Sequence, residues 1–510
     1  MKNKQLVINM FANIFSFIIN LGVSFLLTPY LINNVGKEAY SFFPLANNFI
    51  GYVNIITVAL NSMASRFITI KIHENNNEEA NKYFNSVLIS NTIIAIIVSI
   101  PSMLFIIFIE NILNIPKEIV EQVRYLFSFI FIGMILSIIT SVFGVATFAK
   151  NRLDLSSKRT IESNIIRVIC LISLFSIFSP SVVYIGLVNL VVIVYTLIAN
   201  INYTKKLLPE VDINFKKFDF KAIKELISSG IWNSINQLSV VLLTGLDLLI
   251  ANIFLGAALS AELSIVKTIP NFIQSLIGML VSVFVPQFTI LYAKKNKEGL
   301  VKSVNNSIKF MGLIVTIPIG FLIVFGDIFF ELWVPGENSI KLQILSNMTI
   351  IPFIISGSIN TIFNIFTVTN KLKLPSIILL ITGILNTSIV FILIKTTNLS
   401  VFAIPLVSGI LVILRNIIFT PIYGARCLEE RWNIFYRDIF KGIICTITMI
   451  LICIIVRNNI QINNWTYLIL SAIISSVIAL LINLLIIFDI EDIKIFINKF
   501  IDIIKLKVNF

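Results

Sequence analysis

The chain has 510 residues, of which 57% are hydrophobic and only 13% charged, and its mean hydropathy is +0.96. That composition excludes a soluble globular domain and marks an all-α protein crossing the membrane many times. The net charge of +13 calls for no nucleic-acid partner, because a basic surface facing anionic lipid accounts for it. One histidine, His73, and four cysteines without a CxxC pair (Cys170, Cys427, Cys445, Cys453) leave almost nothing for a metal site or a histidine-based catalytic pair. No metal, no cofactor and no enzyme activity is therefore expected.

Stretches of roughly 20 apolar residues predict fourteen spans near 7–32, 42–68, 84–109, 121–148, 160–179, 182–203, 225–251, 259–288, 306–327, 342–369, 374–394, 400–422, 438–456 and 465–488. The first follows MKNK without a small-residue cleavage site and reads as a retained span. An even number puts both termini on one side. The loops KNRLDLSSKR, NYTKKLLPEVDINFKKFDFKAIK, KKNKEGLVK, NKLK, ARCLEERWNIFYRDIFK and HENNNEEANK, with the termini, hold about 30 of the 39 Lys and Arg. The opposite loops hold Lys37, Lys117, Arg124, Lys341, Lys395 and Arg457. The positive-inside rule then places both termini in the cytoplasm and the protein in the cytoplasmic (inner) membrane. The longest outer loop, GDIFFELWVPGENSIK, leaves no room for an external domain. Residues 489–510 have the pattern of an amphipathic helix on the cytoplasmic surface, with a plain solvated tail as the alternative.

A shift of 220 residues lays NMFANIFSFIINLGVSFLLTPYLINNVG on SGIWNSINQLSVVLLTGLDLLIANIFLG. Asn13 meets Asn233, Ser24 meets Thr244 and Gly36 meets Gly256; one residue later Phe67 meets Phe288 and Asn85 meets Asn306. Six spans separate the copies, so the repeat is parallel. The expected organisation is an N-terminal six-helix lobe (1–203), a basic connector (204–224), a pseudo-symmetric C-terminal six-helix lobe (225–424), two further helices (425–488) and the tail.

Inside the spans, polar residues line up. Asn9, Asn13, Ser16, Asn20 and Ser24 follow at spacings of four, three, four and four, one face of a helix. Asn47, Asn54 and Asn61 recur every seven residues, with Ser62, Ser65 and Arg66 beyond them. The matching spans of the second copy carry Ser229, Asn233, Asn236, Thr244 and Asp247, then Lys267, Asn271, Gln274 and Ser282. Amide bonding between neighbouring helices is one reading. A wet cavity between two lobes, opened alternately to each side, is the other, favoured because the stripes recur at matching places in four helices.

Charges in a span cost about 2.5–3.5 kcal/mol each near its centre. Asp247 and Lys267 lie equally far from the turn near Ala257, so an ion pair and a cavity-lining role both stay open. Arg167 is the deepest cation and the best candidate for an anion contact, whereas Arg66 and Arg415 are near enough to the cytoplasmic face to snorkel. Asp247 is the carboxylate available for coupling to H+ or Na+. Prolines spread through the spans suit helices that bend.

The stretches LLTPYLINNVGKEAYSFFPL and SSGIWNSINQLSVVLLTGLDLLIANIFLG, the duplicated helix pairs and the twelve-plus-two helix count resemble the polysaccharide and oligosaccharide (O-antigen-like) flippases of the multidrug, oligosaccharidyl-lipid and polysaccharide exporter superfamily. The resemblance implies two six-helix bundles that move a polyprenyl-diphosphate-linked oligosaccharide from the cytoplasmic to the outer leaflet, with a cationic cavity for the diphosphate. Capsule, O-antigen and teichoic acid remain open as destinations. A multidrug or cation exporter of the same superfamily is the nearest alternative, and a membrane-embedded glycan-processing enzyme a further one. Two lobes in one chain make a monomer sufficient.

Overall fold

The computed structural model describes residues 2–487; the expected amphipathic tail lies outside them. Fourteen helices among the described residues are long and apolar enough to cross a membrane. They are Phe11–Val35, Lys37–His73, Asn77–Ile107, Lys117–Ala149, Leu153–Ile177, Val182–Leu207, Phe220–Leu255, Ala257–Ala293, Lys297–Trp333, Ser339–Ile359, Lys373–Thr396, Ser400–Cys427, Tyr436–Asn459 and Trp465–Ile487, called the first to fourteenth spans below. Each overlaps an expected span, and most run further at one or both ends. Apolar length measures only the part inside lipid, while caps carry the helix on into the polar layer. The fifth span thus starts at Leu153 rather than near 160, and Arg159 lies within it.

The repeat is visible in the backbone. Gly36 and Gly256 open the second and eighth spans at φ +84° and +94°. Nothing lies within 4 Å of an added Cβ at either position, so backbone conformation and not space demands glycine there. Asn75 and Lys295, again 220 apart, both take a left-handed conformation at a helix end. The next residues, Asn76 and Asn296, cap the following span by accepting from the Glu79 and Gly299 N–H groups at 3.1 and 2.8 Å. Asn151 and Asn370 form a third such pair, each followed by an N–H that reaches back five residues at 2.8 Å. The fourth span tightens at Ser141–Gly144, and the tenth breaks at the matching Asn360 and Thr361 before Ile362–Val368 resumes.

The copies also differ. The seventh span widens at Val241–Gly245, where the Leu246 N–H reaches the Val241 carbonyl, and the twelfth widens at Arg415–Phe419. The first and sixth spans run as regular helix throughout. A wide turn frees carbonyls, which lipid cannot satisfy. In the seventh span neighbours supply the donors: Asn386 bonds the Leu243 carbonyl at 2.9 Å, Thr387 the Leu242 carbonyl at 2.7 Å, and the Tyr52 hydroxyl the Gly245 carbonyl at 2.9 Å.

The chain forms two compact units. One comprises the chain up to Ser264 with Ser376–Val401; the other comprises Ile265–Pro375 and the described chain from Phe402 onward. In the first, the second and seventh spans pack so closely at Gly230 that an added Cβ would stand 2.2 Å from the Ala59 carbonyl oxygen. At one end of this unit, Leu60, Ile68, Phe84, Phe143 and Leu226 share an apolar core. In the second unit the ninth and thirteenth spans meet at glycines: a Cβ on Gly312 would lie 3.1 Å from Gly442 Cα. Arg457 closes that seam with a two-pronged bond to Asp327 at 2.9 and 2.6 Å. The fourteenth span joins through Asn483 to the Cys445 carbonyl and Lys441 to the Ile487 carbonyl.

Candidate functional site

The polar face of the first span meets the fifth, which runs parallel to it. Asn9 is buried and spans the start of that helix, donating to the Asn151 carbonyl and side-chain oxygen at 3.1 and 3.0 Å and accepting from the Asp154 N–H at 3.1 Å. Gln5 bonds both Asn9 and Asp154. Higher up, Ser157 donates to Asn13, and Asn164 donates to Asn20 at 3.2 Å. Asn9 is therefore a bridging cap, buried and with its amide engaged on both sides. Asn13 and Asn20 keep exposed surface beside their bonds. Ser16 is buried on the same face.

The second and seventh spans form an antiparallel polar seam in the same unit. Asn233 donates to Ser62 at 2.9 Å, Ser234 to the Ile55 carbonyl at 2.7 Å and Gln237 to the Gly51 carbonyl at 3.3 Å. Asn61 faces the other way and accepts from Asn91 and Ser141 at 2.9 and 3.1 Å, so it ties the third and fourth spans. Asn47 bonds the Phe43 carbonyl of its own helix. Asn54 and Arg66 are exposed, and Asn236 is half-buried. Asp247 is buried in this unit. In the second unit Lys267 is half-buried, while Asn271 and Gln274 are exposed. Arg415 donates to its neighbour Asn416 at 3.2 Å within the wide turn of the twelfth span.

A third polar group lies between the fifth and sixth spans. The Tyr195 hydroxyl bonds Glu162, and Ser163 pairs with Thr196 at 3.3 Å. Arg159 is within electrostatic reach of Tyr195 and Tyr203, yet its buried Nη1 has no hydrogen-bond partner among the described residues. The Asn200 side-chain oxygen, on the sixth span, is buried and also unpartnered. Arg167 lies two turns beyond Arg159, half-buried, with no carboxylate acting on it among the described residues. From Leu153 the two guanidinium-bearing positions are about 9 and 21 Å along the helix. Such groups suit phosphate oxygens bidentately, and amides and hydroxyls around them suit sugar hydroxyls.

Reading the stripes one helix at a time missed Arg159, Glu162, Asn91, Asn164, Tyr195 and Asn200. One signal was present: Ser157 and Asn164 repeat the seven-residue spacing of Asn13 and Asn20. At the membrane edge, outside the spans, Arg152 is held protonated to higher pH than usual by its bond to Asp154. The Asp219 carboxyl is held below the usual range by Lys82, 2.8 Å away, and by the Lys221 N–H.

These spans, their parallel repeat and their polar seams define a multi-pass membrane protein with the fold of multidrug transporters and lipid flippases. An inward-facing multidrug resistance transporter of the MATE family superposes with a TM-score of 0.68 at 15% identity, over 81% of this chain and 94% of that one. The lipid II flippase MurJ, inward closed, gives 0.65 at 16% identity over 94% and 98%. In sequence, the uncharacterized membrane protein EpsK of Bacillus subtilis (strain 168) is 30% identical over 469 residues, 91% of this chain and 92% of that protein. Residues 6–292 match the family described as polysaccharide biosynthesis protein, and the chain belongs to that family.

Proposed function

We propose that this protein flips a polyprenyl-diphosphate-linked oligosaccharide from the cytoplasmic to the outer leaflet of the cytoplasmic membrane by alternating access, for cell-surface polysaccharide assembly. Membership of a polysaccharide biosynthesis family supports a glycan cargo, and likeness in fold to a lipid II flippase fits a lipid-linked one. The observation that carries the reading is the pair Arg159 and Arg167, two cations on a membrane-spanning helix that form no ion pair with a carboxylate among the described residues, Glu162 pairing with Lys158 instead. Isolated charges in lipid are retained for function, and here an anionic cargo supplies the missing counter-charge. Asn13, Asn20, Asn54 and Asn236 are the amides we assign to sugar hydroxyls. The repeats 1–203 and 225–424, joined by 204–224, are the two lobes of this reading. Both termini are cytoplasmic, Asp247 is the carboxylate for H+ or Na+ coupling, and a monomer suffices.

The test is deletion of the gene in its host, with lipid-linked oligosaccharide quantified by leaflet. Trapping on the cytoplasmic side with loss of surface polymer is expected, and return of both on expression of the intact chain. Unchanged pools in a strain without a second flippase would overturn the proposal and turn attention to drug export. Within the protein, Arg159→Gln and Arg167→Gln each lower transport at unchanged membrane abundance; full activity in the double variant removes the diphosphate contact.

A further inference from the structure

The connector after the sixth span is not a loose tether. Its backbone is stitched to the third span by two asparagines one helical turn apart. Asn81 donates to the Glu210 carbonyl and accepts from the Asp212 N–H, both at 2.7 Å. Asn85 donates to the Asp212 carbonyl at 2.8 Å and accepts from the Asn214 N–H at 2.7 Å. Four helical residues rise about 6 Å and two extended residues about 6.6 Å, so a helix can pair with a strand at this spacing. Ser86 adds a rung by accepting from the Asp219 N–H at 2.8 Å.

This stitching sorts the side chains. Val211 packs into the apolar core; Glu210 pairs with Lys150 and Asp219 with Lys82, the Tyr83 hydroxyl donates to Glu225, and Asp212, its side chain 74% exposed, lies 3.8 Å from Lys217. The outward side carries Ile213, Phe215, Phe218 and Phe220, which are 56%, 67%, 40% and 71% exposed. Interleaved with them, Lys216, Lys221 and Lys224 are exposed and pair with no carboxylate among the described residues. Water would disfavour three open phenylalanines, and the alternation of aromatic rings with lysines matches the boundary between acyl chains and anionic headgroups.

We propose that residues 213–224 form a peripheral anchor in which the phenylalanines enter the bilayer boundary and the lysines hold anionic phospholipid headgroups. The occupant is the lipid surface, selected by charge: Asp219, the one carboxylate within residues 213–224, is held by Lys82, so what these residues present outward is basic and aromatic. The inference needs only that the chain spans a membrane and is independent of what the chain carries.

The test uses the full chain with its four cysteines replaced by alanine and a bimane label at Phe215→Cys or Phe220→Cys, in bilayer discs. Glu78→Cys, exposed at the same end of the third span, is the aqueous control. In equimolar phosphatidylglycerol and phosphatidylcholine, labels at 215 and 220 lose iodide quenching and gain quenching by brominated acyl chains, while the label at 78 stays open to iodide. In phosphatidylcholine alone, or with Lys216, Lys217, Lys221 and Lys224 changed to glutamine, iodide quenching returns. Labels open to iodide in every bilayer overturn the proposal. Equal shielding with and without anionic lipid overturns the headgroup assignment. Unchanged thermal unfolding of the labelled chains confirms that the comparison is made on folded protein.

Discussion

Two seams in this protein are built from opposite materials. The first and fifth spans meet through amides and a hydroxyl, Asn9, Asn13, Asn20, Ser157 and Asn164. The ninth and thirteenth meet through Gly312, Gly320 and Gly442 and close on the Arg457–Asp327 pair. Glycine seams gain from close backbone approach and have one good geometry. An amide seam instead offers bonds that water, a neighbouring amide or a sugar hydroxyl can replace at little cost. The difference separates a part of the protein held fixed from a part able to exchange partners.

The glycine seam breaks most easily by overfilling. Gly312→Leu must displace the Gly442 backbone 3.1 Å away and is expected to cost about 3 kcal/mol, read as a fall in unfolding temperature in detergent; Gly312→Ala costs less. Next comes the ion pair. Asp327→Ala leaves Arg457 uncompensated, and because both side chains are partly exposed the expected loss is about 2 kcal/mol. The double variant with Arg457→Ala recovers part of it, and equal losses in single and double variants would refute the coupling. The amide seam is milder: Asn164→Leu or Asn20→Leu alone costs about 1 kcal/mol, and the double variant is close to neutral in stability. A transport defect in that stable double variant would sharpen the contrast into one between scaffold and site.

The smallest effect is electrostatic. Lys82 and the Lys221 N–H hold the Asp219 carboxyl below its usual range, so the folded state binds its proton less readily than the unfolded one. The stabilisation is present above the ordinary carboxylate pKa of about 3.9 and lost as pH falls through the lower folded value. Asp219→Asn should therefore unfold earlier than the parent chain at neutral pH and converge with it in acid.

Much of this was legible in advance, for physical reasons. Twenty apolar residues cannot hide, and the repeat showed because Gly36 and Gly256 occupy a conformation few other residues tolerate. Which neighbour a stripe touches is not legible: periodicity gives a face, and nothing in it shows that Asn9 caps the fifth span. Arg159 looked like a loop charge because KNRLDLSSKR is polar, although Asn9 starts the helix ahead of it. The wide turn at Val241–Gly245 left no local trace, since its freed carbonyls are satisfied by residues of a distant span.

That last contact sets an order of events during synthesis. The donor Asn386 and the Leu243 carbonyl it satisfies are 143 residues apart, so at typical elongation rates the seventh span waits roughly 10 s or longer for its partner. Until the eleventh span enters the bilayer, the first unit is an unfinished intermediate with polar backbone exposed to lipid. Chains ended after Lys371 should accordingly be cleared by membrane quality control faster than chains ended after Leu399, which makes the eleventh span the step that commits the nascent protein to its fold.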